Sequence, residues 1–267
     1  MTEQLTFALF VALSAAPAHA QTTQRTEDAV PEANPARPTV SSPATLTPVG
    51  YLQFENGALY AADTREFSSQ FSLNQVTKLT VAPRLELLVL TQPFARSHTD
   101  SRTETDVGDV FAGLQAVLVP GSGPRPTIAV SYISRLYEGS APNIDIGSAK
   151  QLFTLLLSDD FYGFHFDING IAAEQTAGRI RRGQFGETLS ISHRCKKLTI
   201  SGEIWHFSQP FLKGNAVGNL WAASYPLHKN LVFDAGFDRG LTSTSTQWEG
   251  FAGFTYLLPH RLWKAKH

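Results

Sequence analysis

The chain of 267 residues carries 22 Lys and Arg against 23 Asp and Glu, a formal net charge of -1, so no basic surface recommends nucleic acid as a partner. A single cysteine, Cys195, excludes an intrachain disulfide, and no Cys/His cluster has metal-ligand spacing, so neither a metal nor any other cofactor is expected. No run of 18 apolar residues follows the first 20, which excludes a membrane-spanning helix there.

Residues 1–20 read as a signal peptide. Leu5 to Ala15 is an apolar stretch, and Ala18-His19-Ala20 is a small-x-small cleavage site. Residues 21–47 hold Pro31, Pro35, Pro38 and Pro43 among Thr, Ser, Ala, Glu and Arg. Such a composition buries little apolar surface against its chain entropy, so the segment is expected to be a disordered periplasmic linker. The remaining chain divides into a barrel over 48–263 and a short tail at 264–267.

From residue 50 onward the dominant signal is alternation with a period of two, the mark of a strand with one apolar and one polar face. It predicts twelve strands, over 50–60, 70–81, 85–94, 108–119, 127–137, 150–157, 162–172, 185–194, 198–207, 217–227, 231–239 and 248–258. In the fourth, Leu114 and Leu118 oppose Asp109 and Gln115. In the fifth, Val130 and Tyr132 oppose Ser131 and Arg135. The seventh is the clearest, with Tyr162, Phe164, Phe166 and Ile168 against Gly163, His165, Asp167 and Asn169. Later strands set Ile200 and Ile204 against Glu203, Phe233 and Phe237 against Asp234 and Asp238, and Phe254 against Glu249.

The connections alternate in length. Those at 82–84, 158–160, 195–197 and 228–230 are short; those at 97–106, 139–148, 174–183, 208–216 and 240–247 are longer and polar. Short periplasmic turns and longer extracellular loops are the habit of an antiparallel, up-and-down, all-β transmembrane barrel in an outer membrane. Aromatics near the strand ends fit two interfacial girdles: Tyr60, Tyr137, Phe207 and Trp248 at the long loops, and Phe161, Tyr162, Tyr225 and Tyr256 at the short turns. A soluble β-sandwich also alternates, but it turns its polar face outward. The large aromatics on the apolar face and the small or charged residues on the other favour lipid outside.

Val107-Gly108-Asp109 leading into a strand, the run 234–242 from Asp234 through Asp238-Arg239-Gly240 to Thr242, and a final strand ending Phe254-Thr255-Tyr256-Leu257-Leu258 carry a resemblance. Over about 48–258 the chain resembles the bacterial outer-membrane barrel family named for the MetA pathway of phenol degradation, often called transporters. The resemblance implies a barrel that passes small hydrophobic or aromatic compounds, with no established substrate. Outer-membrane barrels usually end on an aromatic residue. This chain runs on through Trp263 to His267, so the assembly signal would be internal or Trp263 would take that part.

The pore candidates are therefore the inward polar set: Asp109, Gln115, Arg135, His165, Asp167, Asn169, Glu203, Asp234, Asp238 and Glu249. Acidic groups outnumber basic ones, which in an open pore biases passage toward cations. The same charges paired across a narrow interior would fill it, leaving a structural role. An enzyme is not expected, although His206-Phe207-Ser208 with Asn219 is the minimum for an outer-membrane lipid hydrolase. Expected partners are outer-membrane lipid, lipopolysaccharide phosphates at Arg179, Arg181 and Arg182, the outer-membrane assembly machinery and an unidentified small solute, with the barrel a monomer.

Overall fold

The computed structural model describes residues 31–64, 67–142 and 149–263. The signal-peptide region, residues 21–30 and the tail at 264–267 lie outside the described residues. The strands are β1 (Leu52–Ala62), β2 (Ser69–Ala82), β3 (Leu85–His98), β4 (Thr103–Asp106), β5 (Val110–Val119), β6 (Thr127–Tyr137), β7 (Ala149–Phe161), β8 (Phe164–Ala177), β9 (Ile180–Cys195), β10 (Leu198–Ser208), β11 (Asn215–His228), β12 (Leu231–Gly240) and β13 (Trp248–Leu257). Among the described residues there is no helix. Each barrel strand pairs antiparallel with its sequence neighbours, β1 pairs with β13, and the ring is closed. β4 pairs with β3 alone, so twelve of the 13 strands form the ring. Closure satisfies every wall strand through its neighbours, which a hydrocarbon environment demands.

The alternation sorts the side chains as expected. Leu87, Leu118, Phe153, Ile204, Trp221 and Phe233 are exposed on the outside, while Glu55, Glu86, Gln115, Asp167, Glu203 and Asp234 are buried within. A soluble protein does the reverse, since a large continuous apolar exterior would drive association in water. An apolar outside around a polar inside is the pattern of a membrane barrel.

Several local expectations change. The polar loop over 97–106 is a hairpin: β3 runs on to His98, and a turn at 99–102 returns the chain along β4. The stretch 174–183 is also strand, with β8 and β9 paired out to Ala177 and Ile180. Both stretches are polar, and polarity marks solvent rather than the end of a ladder. Tyr162 and Gly163 are not strand residues. They form the two-residue turn between β7 and β8 with φ of 49° and 80°, the left-handed pair that matches the twist of a hairpin. Phe207 is not a girdle residue either. Ile204 points outward, so parity turns Trp205 and Phe207 into the lumen, where their rings lie 5.8 Å apart and almost fully buried.

The largest change concerns residues 31–47, which composition assigns to a disordered linker. This stretch forms no strand, yet it lies inside the barrel with Ser41, Ala44 and Thr47 buried. It enters at the short-turn end, where the Ala33 amide donates to the Lys229 carbonyl, and it leaves into β1. Proline explains the fit. Pro35, Pro38 and Pro43 carry no N–H, so a chain that cannot join a sheet has few donors to satisfy when buried. A lumen of twelve strands is also wider than its own side chains fill, which leaves room for a single strand of chain.

Inward aromatics need matching glycines. A Cβ on Gly218 would overlap the Trp205 indole, whereas a Cβ on Gly170 would meet nothing. Gly218→Val is expected to cost about 1–3 kcal/mol through overpacking. It should lower the temperature at which the folded, fast-migrating form is lost in detergent gels, with Gly170→Ala unchanged. Equal melting of the two variants would refute the packing role of Gly218.

Candidate functional site

The interior has two polar layers: the side chains of the wall and the segment 34–47 lying against them. The wall carboxylates are the acceptors for that segment. Glu203 receives the Val40 amide at 2.8 Å, the Ser41 amide at 2.7 Å and the Ser41 hydroxyl at 2.6 Å. Glu86 receives the Thr47 amide at 2.9 Å. Glu55 receives the amides of Ala36 and Arg37 at 3.2 Å and is itself paired with Lys78. Amides also supply Asn169, whose side chain takes the Ser42 N–H at 2.7 Å and donates back to the Ser42 carbonyl at 2.9 Å. Gln115 donates to the Pro43 carbonyl at 3.0 Å. The path thus touches β1, β10, β8, β5 and β3 in turn. Hydrogen bonds to ionised acceptors are about twice as strong as neutral ones.

The remaining sequence-predicted residues pair within the wall. Arg135 binds Asp109 at 3.2 Å, and both side chains are almost fully buried. His165 lies between Asp160 at 2.9 Å and Asp167 at 3.3 Å, near the short-turn end. Asp167 also accepts from the Ser158 hydroxyl. Asp238 accepts the Trp205 indole N–H at 2.6 Å. Asp234 binds the guanidinium of Arg37, with Nη2 at 3.1 Å. Glu249 is half-buried on the inner face of β13.

Register arranges four of these carboxylates in a line. Asp167 sits opposite Ser190, Ser190 opposite Glu203, Glu203 opposite Leu220, Leu220 opposite Asp238, and Asp238 opposite Glu249. The line is one continuous row across six strands, β8 to β13. Barrel strands tilt against the axis, so a row perpendicular to them climbs as it goes around. Asp167 lies close to the short-turn start of β8, whereas Glu249 follows the first residue of β13 at the opposite mouth. Asp167, Glu203 and Asp238 are each two strands apart, or ~10 Å at about 4.8 Å per strand.

Sequence reasoning missed Glu55, Lys78 and Glu86, all buried on the inner face; alternation does put Glu55 opposite Phe54, but alternation over 70–81 is weak and the strand at 85–94 is largely apolar on both faces. It also missed Arg37 and Ser41, which no strand pattern covers. The hydrolase combination does not assemble. His206 is bound to Glu187 at 2.6 Å, and the Ser208 hydroxyl accepts the Phe185 amide at 2.8 Å. Asn219 faces Ile204, four residues or two pleat repeats away from Ser208. Arg181 pairs with Glu174, and Arg182 lies over the Phe211 ring at 5.0 Å.

No family model and no curated protein matches the chain. Among solved structures it is similar to the NanC porin at 9% identity and a TM-score of 0.52, covering 77% of this chain and 98% of that one. It is also matched, at a TM-score of 0.44, to the translocator domain of the autotransporter NalP from Neisseria meningitidis (11% identity; 79% of this chain and 89% of that one). A third match is a loop-deletion mutant of the outer membrane protein OmpT of Vibrio cholerae, at a TM-score of 0.38 (11% identity; 78% and 97%). The first likeness shows the fold: an outer-membrane β-barrel.

Glu203 gathers three donors from the segment, so Glu203→Ala should weaken its seating by several kcal/mol, at about 1.5–3 kcal/mol for a bond to a charged group. Amide exchange of 36–47 in the purified barrel should rise at least tenfold while the strand amides stay protected. Unchanged protection would show that the segment is held by other means.

Proposed function

We propose that the chain is an outer-membrane channel for small, positively charged solutes, closed in this state by its own residues 34–47. The observation that carries the reading is the oblique row Asp167, Glu203, Asp238, Glu249, which rises from one mouth of the barrel to the other. A path of carboxylates in a low-dielectric wall holds cations at successive sites and repels anions. The wall cations Lys78 and Arg135 are already engaged by Glu55 and Asp109, and His165 bears on the row only at its short-turn end, beside Asp167.

The segment supports a closed state. It spans the lumen from β10 to β3 and contributes the donors that Glu203 and Glu86 bind. It is joined to the wall by hydrogen bonds and packing rather than as a strand, so its withdrawal leaves the ring intact. Passage of hydrophobic or aromatic compounds, which the family resemblance suggests, finds less support in this lumen. Its apolar inner surface includes two small patches, one at Trp205, Phe207 and Ala216 that Val40 covers and one at Ala129 and Leu156 that Ala44 covers.

Two purified forms test the proposal in planar bilayers: the mature chain and a chain lacking 21–47. The shortened barrel should conduct several-fold more, and its reversal potential in a salt gradient should favour the cation. Replacing Glu203, Asp238 and Glu249 by Gln, Asn and Gln in that barrel should remove the preference. A shortened barrel that folds but conducts nothing would make the chain a filled barrel with a structural role.

A further inference from the structure

The inner face of β1 and β13 carries a recess shaped to one side chain. Gly57 and Gly253 are direct partners across the two strands, and Gly253 is in turn the partner of Asp234 on β12. The three therefore form a short row on the lumen wall. The guanidinium of Arg37 lies over it. A Cβ on either glycine would overlap that group: on Gly253 it would stand 2.8 Å from Nε and Nη2, and on Gly57 closer still. Asp234 closes the row from the side, with its Oδ1 3.1 Å from Nη2 and its Oδ2 3.4 Å from Nε. This is the fork geometry that a planar guanidinium offers and an ammonium does not. The Asp234 side chain is almost wholly buried there.

Two glycines facing each other in adjacent strands weaken a wall, since each removes packing and adds chain entropy to be lost. Gly253 is needed by the wall as well, since a Cβ there would also meet the Asn56 carbonyl of β1. At Gly57 the three nearest atoms all belong to the Arg37 guanidinium, so a close-lying flat group is what that glycine accommodates. That group belongs to the segment that closes the lumen. A recess that fits one guanidinium fits another.

We propose that the Gly57, Gly253 and Asp234 recess is a lumenal binding site for small solutes bearing a guanidinium or amidinium head, and that Arg37 occupies it in the closed state. A solute that takes the recess displaces Arg37 and loosens one anchor of the segment. Solute and segment then compete for one site, and the barrel is opened by the class of molecule it admits. The second half of this proposal rests on the channel reading above; binding at the recess does not.

Calorimetry on the detergent-folded mature chain tests the site with methylguanidinium as probe and methylammonium as control. Arg37→Ala should bind methylguanidinium at least roughly tenfold more tightly than the unmodified chain, in which Arg37 competes. Methylammonium should bind more weakly. Adding Asp234→Asn to Arg37→Ala should weaken binding by roughly tenfold or more, as loss of a charged partner does. Adding Gly57→Val should do the same by filling the recess, so the result does not depend on one variant folding. In the unmodified chain, methylguanidinium should speed amide exchange of 36–47, and methylammonium at the same concentration should not. The site is refuted if Arg37→Ala binds neither probe, binds both alike, or binds methylguanidinium undiminished with Asp234→Asn and Gly57→Val. A barrel without 21–47 that conducts nothing would refute the channel while leaving the calorimetric result intact.

Discussion

A wall of twelve strands that meets hydrocarbon outside must satisfy its backbone by closing on itself, and closure at this size encloses more space than inward side chains fill. The rest of the molecule follows from that constraint. The outer face becomes apolar, with residues such as Phe153, Ile204 and Trp221 exposed. The inner face collects polar groups that water or protein must satisfy. The protein supplies part of that satisfaction from its own N-terminal stretch, whose amides and hydroxyls meet Glu55, Glu86 and Glu203.

That arrangement couples two features that would otherwise be separate. A buried carboxylate without a partner is costly, so the acidic lumen favours the segment in place. The same carboxylates would favour a cation in its absence. Asp234 is the sharpest instance, because its partner is already a cation, Arg37, held over Gly57 and Gly253. On the proposed channel reading, closed and conducting states are two ways of satisfying one set of charges. Asp109 and Arg135 pair within the wall itself and take no part in the exchange.

The inner and outer faces were legible in the residues because side-chain direction in a strand is a local property. Asp167, Glu203, Asp238 and Gln115 needed only parity to be placed inside. Parity also put Phe207 in the lumen, but its bulk suggested an interfacial girdle, and side-chain type is the weaker guide. Strand ends were less legible. The 174–183 and 97–106 stretches are polar because they lie outside the hydrocarbon, and β8, β9 and the β3–β4 hairpin continue there as ladder. His206 and Ser208 share a face, as parity requires, yet each is bound to a different neighbour on β9.

By itself, the sequence determined that this is a β-barrel with a polar inside, since a period of two needs nothing beyond each strand. Only the tertiary structure decided that Asp167, Glu203, Asp238 and Glu249 form one rising row. Their alignment depends on the register of strands far apart in the chain, and no local pattern encodes it. Tertiary structure also decided the place of residues 34–47. Proline and small polar residues describe a stretch that cannot join a sheet or build a core. Whether such a stretch stays in water or fills a cavity depends on whether the remaining chain encloses a space lined with acceptors for its few amides.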